Sequence, residues 1–256
     1  MHTDATQSDK WFRIVKGEVN AGTRLVCFPH AGGSASFFHH WGRLFPARVE
    51  VLAVRYPGRE DRILDPVPDT IEDLADRLAL ACSAFDGTPL AFFGHSMGAA
   101  VAHEVAQRVE SLVPGRLACL FVSGCAGPGF GKSRRDLSAL SDSRLVENVR
   151  MLGGTSPAVL DNPELRQLFL QIFRADFRLV ARHSISSSGI IQAPIIAYYG
   201  DQDEDLDEES VSAWSTVTKS TFAIRRFHGG HFYLTDHTAG LVADMRDHLV
   251  HRQEPS

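Results

Sequence analysis

The sequence predicts an α/β fold with a mostly parallel central sheet and helices on both of its faces. Short, nearly continuous apolar segments alternate along the chain with longer segments whose apolar residues recur every three or four positions. The first pattern is typical of strands buried on both faces, and the second is typical of amphipathic helices. Their alternation indicates parallel strands joined by crossover helices.

The individual elements follow from these patterns in chain order. Residues 11–15 predict an antiparallel edge strand. Parallel strands are predicted at Leu25–Phe28, Val49–Val54, Leu90–Phe93, Leu117–Val122, Ile195–Tyr199 and Thr221–Phe227. Helices are predicted at Ile71–Phe85, Met97–Ser111, Glu208–Thr216 and His237–His251. We expect Asp207, Glu208 and Glu209 to cap and charge the first turn of the third of these helices.

The alternation stops between about residues 127 and 189, where two helical patterns occur with no strand between them. The second pattern carries a wide apolar stripe of Leu165, Leu168, Phe169, Ile172, Phe173, Phe177 and Val180. Open α/β sheets place their sites at the carboxyl ends of the strands, and we expect this insertion to lie above that edge as a lid. A packed helix pair with no gating role would have the same pattern. No linker divides the chain, so we expect one domain over residues 1–256.

Charge and hydropathy limit the partners of this chain. Its 256 residues carry 26 Lys and Arg against 31 Asp and Glu, for a formal net charge of −5. Binding to nucleic acid or to an anionic membrane needs clustered basic residues, and a membrane span needs roughly 18 consecutive apolar residues. We therefore expect a cytoplasmic monomer that binds neither. The cysteines lack metal-binding spacing and are expected to be buried free thiols: Cys27, Cys82, Cys119 and Cys125.

The most informative segment is Gly94-His95-Ser96-Met97-Gly98, which follows one apolar strand and opens a helix. A strand, a sharp turn and a helix with a serine at the apex form the elbow that exposes a nucleophilic hydroxyl. Glycines two residues before and after the serine remove side chains that would collide in such a turn. The segment predicts Ser96 as a nucleophile.

A serine hydroxyl needs a base and a group that orients the base. In folds with this elbow the chain order is serine, acid, histidine. Asp201 and Asp203 both follow the strand at 195–199, and Asp203 is favoured because it lies three residues beyond the glycine that ends the strand. His228 and His231 both follow the last strand. His231 is favoured because Gly229 and Gly230 place it in a flexible turn.

The negative oxygen formed in such a reaction needs two backbone N–H donors. Met97, directly after the serine, is predicted to supply one, and Ala31 in the glycine-containing segment 28–34 the other. We expect His30 to shape this segment and His95 to pack inside the elbow. The segment lacks the GxGxxG pattern and the lysine of phosphate-binding loops. Alternating acidic residues at 201–209 resemble a calcium loop, but Leu206 and Ser212 stand where glycine and glutamate are required, so no metal site is predicted.

Several further segments carry a resemblance to a known family. They are Trp11-Phe12-Arg13, Cys27-Phe28-Pro29-His30-Ala31-Gly32-Gly33-Ser34, Tyr56-Pro57-Gly58-Arg59-Glu60, the elbow, Arg174-Ala175-Asp176-Phe177 and Gly229-Gly230-His231-Phe232. With these, the chain resembles the type II thioesterases of the α/β-hydrolase superfamily, which accompany polyketide and nonribosomal peptide synthases. The resemblance runs nearly end to end. In the acid loop the chain departs from it, with Glu204 where the family often has proline.

The resemblance implies hydrolysis of acyl thioesters on the phosphopantetheine arm of an acyl or peptidyl carrier protein, without a cofactor. It assigns Ser96 as nucleophile, His231 as base and Asp203 as orienting acid. Met97 and Ala31 become the backbone donors. A small-molecule serine carboxylesterase and a non-catalytic binding protein with the same fold are the alternatives.

Two charged features of the insertion have open roles. Asp176 lies on the apolar stripe, where a carboxylate needs a partner. It would either anchor the insertion through an ion pair or helix cap, or contact the substrate. Lys132, Arg134 and Arg135 form a basic cluster that would either steer an acidic carrier protein or be a solvated loop.

Overall fold

Seven strands form one sheet in the computed structural model, which describes residues 10–130 and 136–250. The strands are β1 Phe12–Lys16, β2 Thr23–Phe28, β3 Val49–Val54, β4 Leu90–His95, β5 Leu117–Ser123, β6 Ile195–Gly200 and β7 Phe222–Phe227. Their order across the sheet is β1-β3-β2-β4-β5-β6-β7, with β1 antiparallel to β3 and the other neighbours parallel. The predicted mostly parallel sheet with an antiparallel edge strand is confirmed.

The strand ends differ from the predicted ones by up to two residues. The added residues are polar or glycine: Thr23 pairs with Val49, Gly94 with Phe28 and His95 with Ser123. They take part in the ladder through their backbones, so an apolar pattern does not detect them.

Helices lie on both faces of the sheet. Those of the described residues are α1 Ile71–Ser83, α2 Met97–Leu112, α3 Asp142–Leu152, α4 Pro157–Asp161, α5 Pro163–Arg182, α6 Glu208–Ser212, α7 Tyr233–Asp236 and α8 Thr238–Val250. Helix α6 is shorter than predicted because the chain tightens into a 3-10 turn at Ala213–Val217. The Asp207 side chain accepts a hydrogen bond from the Ser210 N–H at 2.8 Å, which confirms the predicted cap. The predicted last residue of α8, His251, lies outside the described residues.

The core has two main parts, one on each face of the sheet. Neighbouring residues of β4 show the division, since Phe92 belongs to the part that contains α1 and α2, and Phe93 to the part that contains α8. Successive strand residues point to opposite faces, so an uninterrupted apolar strand serves both parts. The four cysteines are buried thiols that form no disulfide with one another, as predicted.

In its described residues, the insertion contains three α-helices, α3 to α5, where the sequence patterns predicted two. The short α4 is missed because its five residues are too few to show helical periodicity. The three helices share a small apolar cluster of Leu145, Val149, Leu160, Leu170 and Phe173. The predicted stripe is wrong at its beginning, because Leu165 and Leu168 are each 42% exposed. The sheet and the helices that flank it are called here the body. The later part of α5 packs on the body, where Asp176 and Leu179 are buried.

Two further observations bear on the sequence expectations. None of the helices in the described part of the chain is long and apolar enough to cross a membrane. The basic cluster Lys132, Arg134 and Arg135 lies outside the described residues, so its role stays a prediction.

Candidate active site

Ser96 lies at the apex of a sharp turn between β4 and α2. Its backbone has φ +54° and ψ −118°, a conformation that side-chain-bearing residues rarely adopt. A methyl group on Gly94 would lie 2.1 Å from the carbonyl oxygen of Gly98, and one on Gly98 would lie 2.1 Å from that of Phe28. Both glycines are therefore required by the close approach of backbone segments, as the elbow motif predicts.

Asp203 and His231 form a direct pair beside this turn. His231 Nδ1 lies 2.7 Å from Asp203 Oδ2, and the two side chains are 14% and 3% exposed. An ionised carboxylate only accepts hydrogen bonds, so Nδ1 carries the proton and Nε2 is the nitrogen left to face other groups. The competing residues pair with each other instead: Asp201 contacts His228 at 3.3 Å, and His228 is 73% exposed. Asp201 also accepts a hydrogen bond from the Gly229 N–H, so it braces the turn.

Ser96 and His231 line one cavity at the carboxyl edge of the sheet. Ala31 and His30 line it from the loop after β2. The remaining wall is mostly apolar and comes largely from the insertion, through Val149, Leu152, Phe173 and Phe177, with Phe232 beside His231. The structure thus brings Ser96, His231 and Ala31 to one space, with Asp203 behind His231.

The loop of residues 28–34, called here the 28–34 loop, lies against the beginning of α2. Gly98, in the first turn of α2, approaches the carbonyl oxygens of Phe28 and Pro29 so closely that a methyl group would clash with both. Met97 is the first residue of α2, and the N–H groups of a first helical turn have no partner within the helix. The N–H groups of Met97 and Ala31 therefore belong to two segments that meet next to Ser96.

A buried ion pair holds the 28–34 loop from the insertion side. Arg59 Nη1 and Nη2 donate to Asp176 Oδ2 and Oδ1 at 2.7 and 2.6 Å, and the side chains are 4% and 1% exposed. The Gly32 N–H donates to Asp176 Oδ2 at 2.7 Å, and Arg59 Nη1 donates to the Gly33 carbonyl at 2.8 Å. Asp176 therefore has an ion-pair partner and both of its oxygens are occupied.

The residue after Arg59 holds the other end of the same loop. Glu60 Oε1 accepts hydrogen bonds from the hydroxyls of Ser34 at 2.8 Å and Ser36 at 2.5 Å, and Glu60 Oε2 lies 3.1 Å from Arg13 Nη2. Partial burial acts to raise the pKa of Glu60, but the serine hydrogen bonds and the Arg13 charge outweigh it and leave that pKa below its usual value. The carboxylate is thus kept ionised as an acceptor.

Two buried histidines next to His231 are uncharged. Burial first, and then the positive charges of His231 and Arg59, lower the pKa of His30 to about 3. Burial is the main reason why the pKa of His95 lies well below its usual value, and the repulsion that a protonated His95 would meet from protonated His231 or His30 lowers it further. His95 Nδ1 lies 2.9 Å from Ser123 Oγ, which lies 2.6 Å from the Tyr233 hydroxyl. Both histidines therefore pack as neutral rings, as the sequence analysis expected.

Together, the parallel sheet, the serine elbow and the loops at its carboxyl edge define an α/β hydrolase. A thioesterase-domain family model matches residues 23–249. Thioesterase PikA5 of Streptomyces venezuelae is 36% identical over 95% of this chain and 86% of its own length. The gramicidin S biosynthesis protein GrsT of Aneurinibacillus migulanus is 32% identical over 91% of each. The solved structure of the type II thioesterase BorB, from the borrelidin biosynthetic cluster, superposes with a TM-score of 0.86 at 36% identity, covering 94% of this chain and 98% of that one.

The chain belongs to the thioesterase family and is a thioester hydrolase. Its similarity to BorB groups it with the type II thioesterases, as the sequence resemblance implied. From the sequence, Arg59 was only part of a family segment, whereas Asp176 was expected to have a partner that the sequence did not name. The ion-pair alternative for Asp176 is the one the structure has. The two residues were not paired from the sequence, because no spacing within one sequence connects residues so far apart in the chain. The buried Ser123–Tyr233 contact was missed for the same reason.

The neutral histidines predict that the protein loses stability as the pH falls. Below about pH 6.5 the unfolded chain protonates histidines that the folded chain keeps neutral. Stability is therefore complete above that pH and falls by about 1.4 kcal/mol per pH unit for each such histidine. His95→Asn keeps a partner for Ser123 but removes one titrating group. We expect its unfolding free energy to fall less steeply between pH 6 and pH 4.5.

Denaturant unfolding at several pH values measures this slope. The matched control is His39→Asn, because His39 is an exposed histidine and is expected to keep the wild-type slope. Identical slopes for wild type and His95→Asn would contradict the buried, uncharged state of His95.

Proposed function

We propose that this thioesterase hydrolyses acyl thioesters on the phosphopantetheine arm of an acyl or peptidyl carrier protein, through an acyl group carried on Ser96. The observation that carries the proposal is the single cavity lined by Ser96 and His231, with Asp203 2.7 Å behind the imidazole. The biosynthetic origins named for GrsT and BorB support a synthase-bound substrate. We further propose that the protein edits such a synthase by removing acyl groups that block it.

The chemistry needs two acyl transfers. His231 Nε2 takes the Ser96 proton as Oγ attacks the thioester carbonyl, while Asp203 keeps the Nδ1 proton in place. The N–H groups of Met97 and Ala31 stabilise the negative oxygen. The C–S bond then breaks, and His231 returns the proton to the leaving pantetheine sulfur. In the second transfer His231 takes a proton from water as the water oxygen attacks the acyl-serine ester. The bond between the acyl carbon and Ser96 Oγ then breaks, His231 returns the proton to Oγ, and the carboxylic acid is released.

The apolar walls of the cavity suit an acyl chain. Phe173 and Phe177 from α5 stack with their ring centroids 5.9 Å apart, and both line the cavity opposite Ser96. We assign the insertion the role of a lid that shields the acyl-enzyme. We also propose that residues 1–256 form a single domain, of which this lid is a part. Because the nucleophile, the base and the oxyanion donors all come from the chain, the proposed reaction uses no cofactor.

One prediction from this mechanism tests both the nucleophile and the substrate class. We expect faster hydrolysis of an acyl group on a carrier protein than of the same group esterified to a simple alcohol. Ser96→Ala is expected to lose nearly all turnover, on the order of 10⁶-fold as for the equivalent subtilisin change. Steady-state assays of acid release measure both effects. Equal rates on the two substrates would favour the carboxylesterase alternative, and ordinary turnover by folded Ser96→Ala would exclude the proposed nucleophile.

The second prediction separates the two aspartates near His231. Asp203→Asn replaces the acceptor of the Nδ1 proton and is expected to lower kcat by up to about 10⁴-fold, as in serine proteases. Asp201→Asn is the matched control, because Asp201 contacts His228 and the Gly229 N–H rather than His231. We expect it to lower kcat less than about 10-fold, since it touches no group of the proposed mechanism. The reverse order of kcat values would move the acid to Asp201.

A further inference from the structure

We propose that Arg59 and Asp176 are positioning residues that hold the 28–34 loop so that its Ala31 N–H faces Ser96. Because Asp176 belongs to helix α5, the oxyanion site formed by the Met97 and Ala31 N–H groups would be complete only while α5 packs on the body. The inference rests on the proposed function, because it assigns a role relative to the Ser96 reaction. Neither residue lines the cavity, so both would act through the loop.

The hydrogen bonds act on the first and the third of the peptide groups that follow Ala31. The Gly32 N–H belongs to the peptide group between Ala31 and Gly32, and Asp176 Oδ2 holds it at 2.7 Å. The Gly33 carbonyl belongs to the peptide group between Gly33 and Ser34, and it accepts a hydrogen bond from Arg59 Nη1 at 2.8 Å. Rotation of the first peptide group would turn the Ala31 backbone directly. The third anchors Gly33, whose N–H donates at 2.9 Å to the His30 carbonyl of the peptide group that carries the Ala31 N–H. Since a donor must lie within about 3 Å of the developing oxyanion to act, fixing these groups matters for catalysis.

The conformation of the loop gives a second reason why it needs external support. Gly32 has φ +76°, and a methyl group there would lie 1.9 Å from the Phe173 ring. Glycine leaves the backbone free in the unbound loop, so other contacts must select this one conformation. One selecting contact lies within the loop, where the Gly33 N–H donates to the His30 carbonyl at 2.9 Å. The others come from α5, which contributes both Asp176 and the Phe173 ring.

A purely structural role explains the ion pair less well. Transferring two charges out of water costs free energy that their attraction only roughly offsets, so a buried ion pair is a weak stabiliser compared with an apolar pair of similar size. An apolar pair, however, would offer nothing to the Gly32 N–H or the Gly33 carbonyl. Substrate contact is also disfavoured, because the Asp176 side chain is 1% exposed and both oxygens are engaged.

The position of Asp176 on α5 links the insertion to the chemistry. Phe173 and Phe177, on either side of Asp176 in the sequence, line the cavity. Movement of α5 away from the body would open the cavity and, in the same motion, release Gly32 and Arg59. The protein would then bind or discharge ligands with its oxyanion site disassembled and react only with the insertion in place.

The test compares Asp176→Asn with wild type on an acyl-pantetheine thioester. We expect kcat to fall about 100-fold, the usual effect of losing one oxyanion donor, with KM within about threefold of wild type. Binding of an acyl trifluoromethyl ketone, whose adduct on Ser96 carries an oxyanion, is expected to weaken by the same factor as kcat. A merely structural role would not move inhibitor affinity and kcat together at constant KM.

The matched control is Asp142→Asn, on the same insertion. Asp142 pairs with Arg174 of α5 at 2.6 Å, but it is 62% exposed and does not touch the 28–34 loop. We expect wild-type kcat and inhibitor binding for this variant. If Asp176→Asn is unfolded at the assay temperature, Arg59→Lys carries the test, since lysine keeps the charge but not the bidentate geometry. There we expect a loss in kcat on the order of 10-fold at wild-type KM.

The inference would be overturned if folded Asp176→Asn had the wild-type kcat. Where Arg59→Lys carries the test, a wild-type kcat in that variant would overturn it. So would a loss confined to KM. Ser96→Ala assayed alongside keeps this result separate from the proposed function. If Ser96→Ala is inactive while folded Asp176→Asn is fully active, only the positioning role fails. If Ser96→Ala keeps its turnover, the proposed function itself fails.

Discussion

The backbone turn at Ser96 is the constraint around which the rest of the site is arranged. A positive φ at a residue with a side chain costs free energy, and surrounding structure must impose it. Here β4 approaches the first turn of α2 so closely that only glycine fits at Gly94. The same turn of α2 approaches the end of β2 so closely that only glycine fits at Gly98. The turn exposes the hydroxyl at the carboxyl edge of a central strand. The loops after β2, β6 and β7 end at the same edge, and they bring Ala31, Asp203 and His231 towards it.

Segments that are distant in the sequence hold the loop after β2. Glu60, which is paired with Arg13 of β1, binds its far end at Ser34. Arg59 and Asp176 of α5 bind its glycines. These residues come from short segments that marked the resemblance to type II thioesterases. Their shared contact with one loop supplies a physical reason for their joint presence in this chain. A generic esterase with a differently supported loop would have no need of them.

The sequence predicted the parts of this structure whose signals are local. Apolar runs indicated the strands, and the glycine pattern indicated the elbow. The distance of Asp203 from its strand end and the two glycines before His231 selected the pair that lies 2.7 Å apart. The predictions that failed concern features that depend on contacts between segments distant in the sequence. The number of helices in the insertion, the exposure of Leu165 and Leu168, and the partner of Asp176 all depend on how the insertion sits on the body. Periodicity describes one helix at a time and carries no information about that placement.

The central claim is that the strained turn makes Ser96 the nucleophile of this thioesterase. A fluorophosphonate reacts with an activated serine to give a stable adduct, so labelling followed by peptide mapping in a mass spectrometer locates the nucleophile directly. We predict a single adduct on Ser96 whose formation abolishes thioester hydrolysis in proportion to labelling. An adduct on another residue that abolishes turnover, or full turnover by protein labelled at Ser96, would contradict the account.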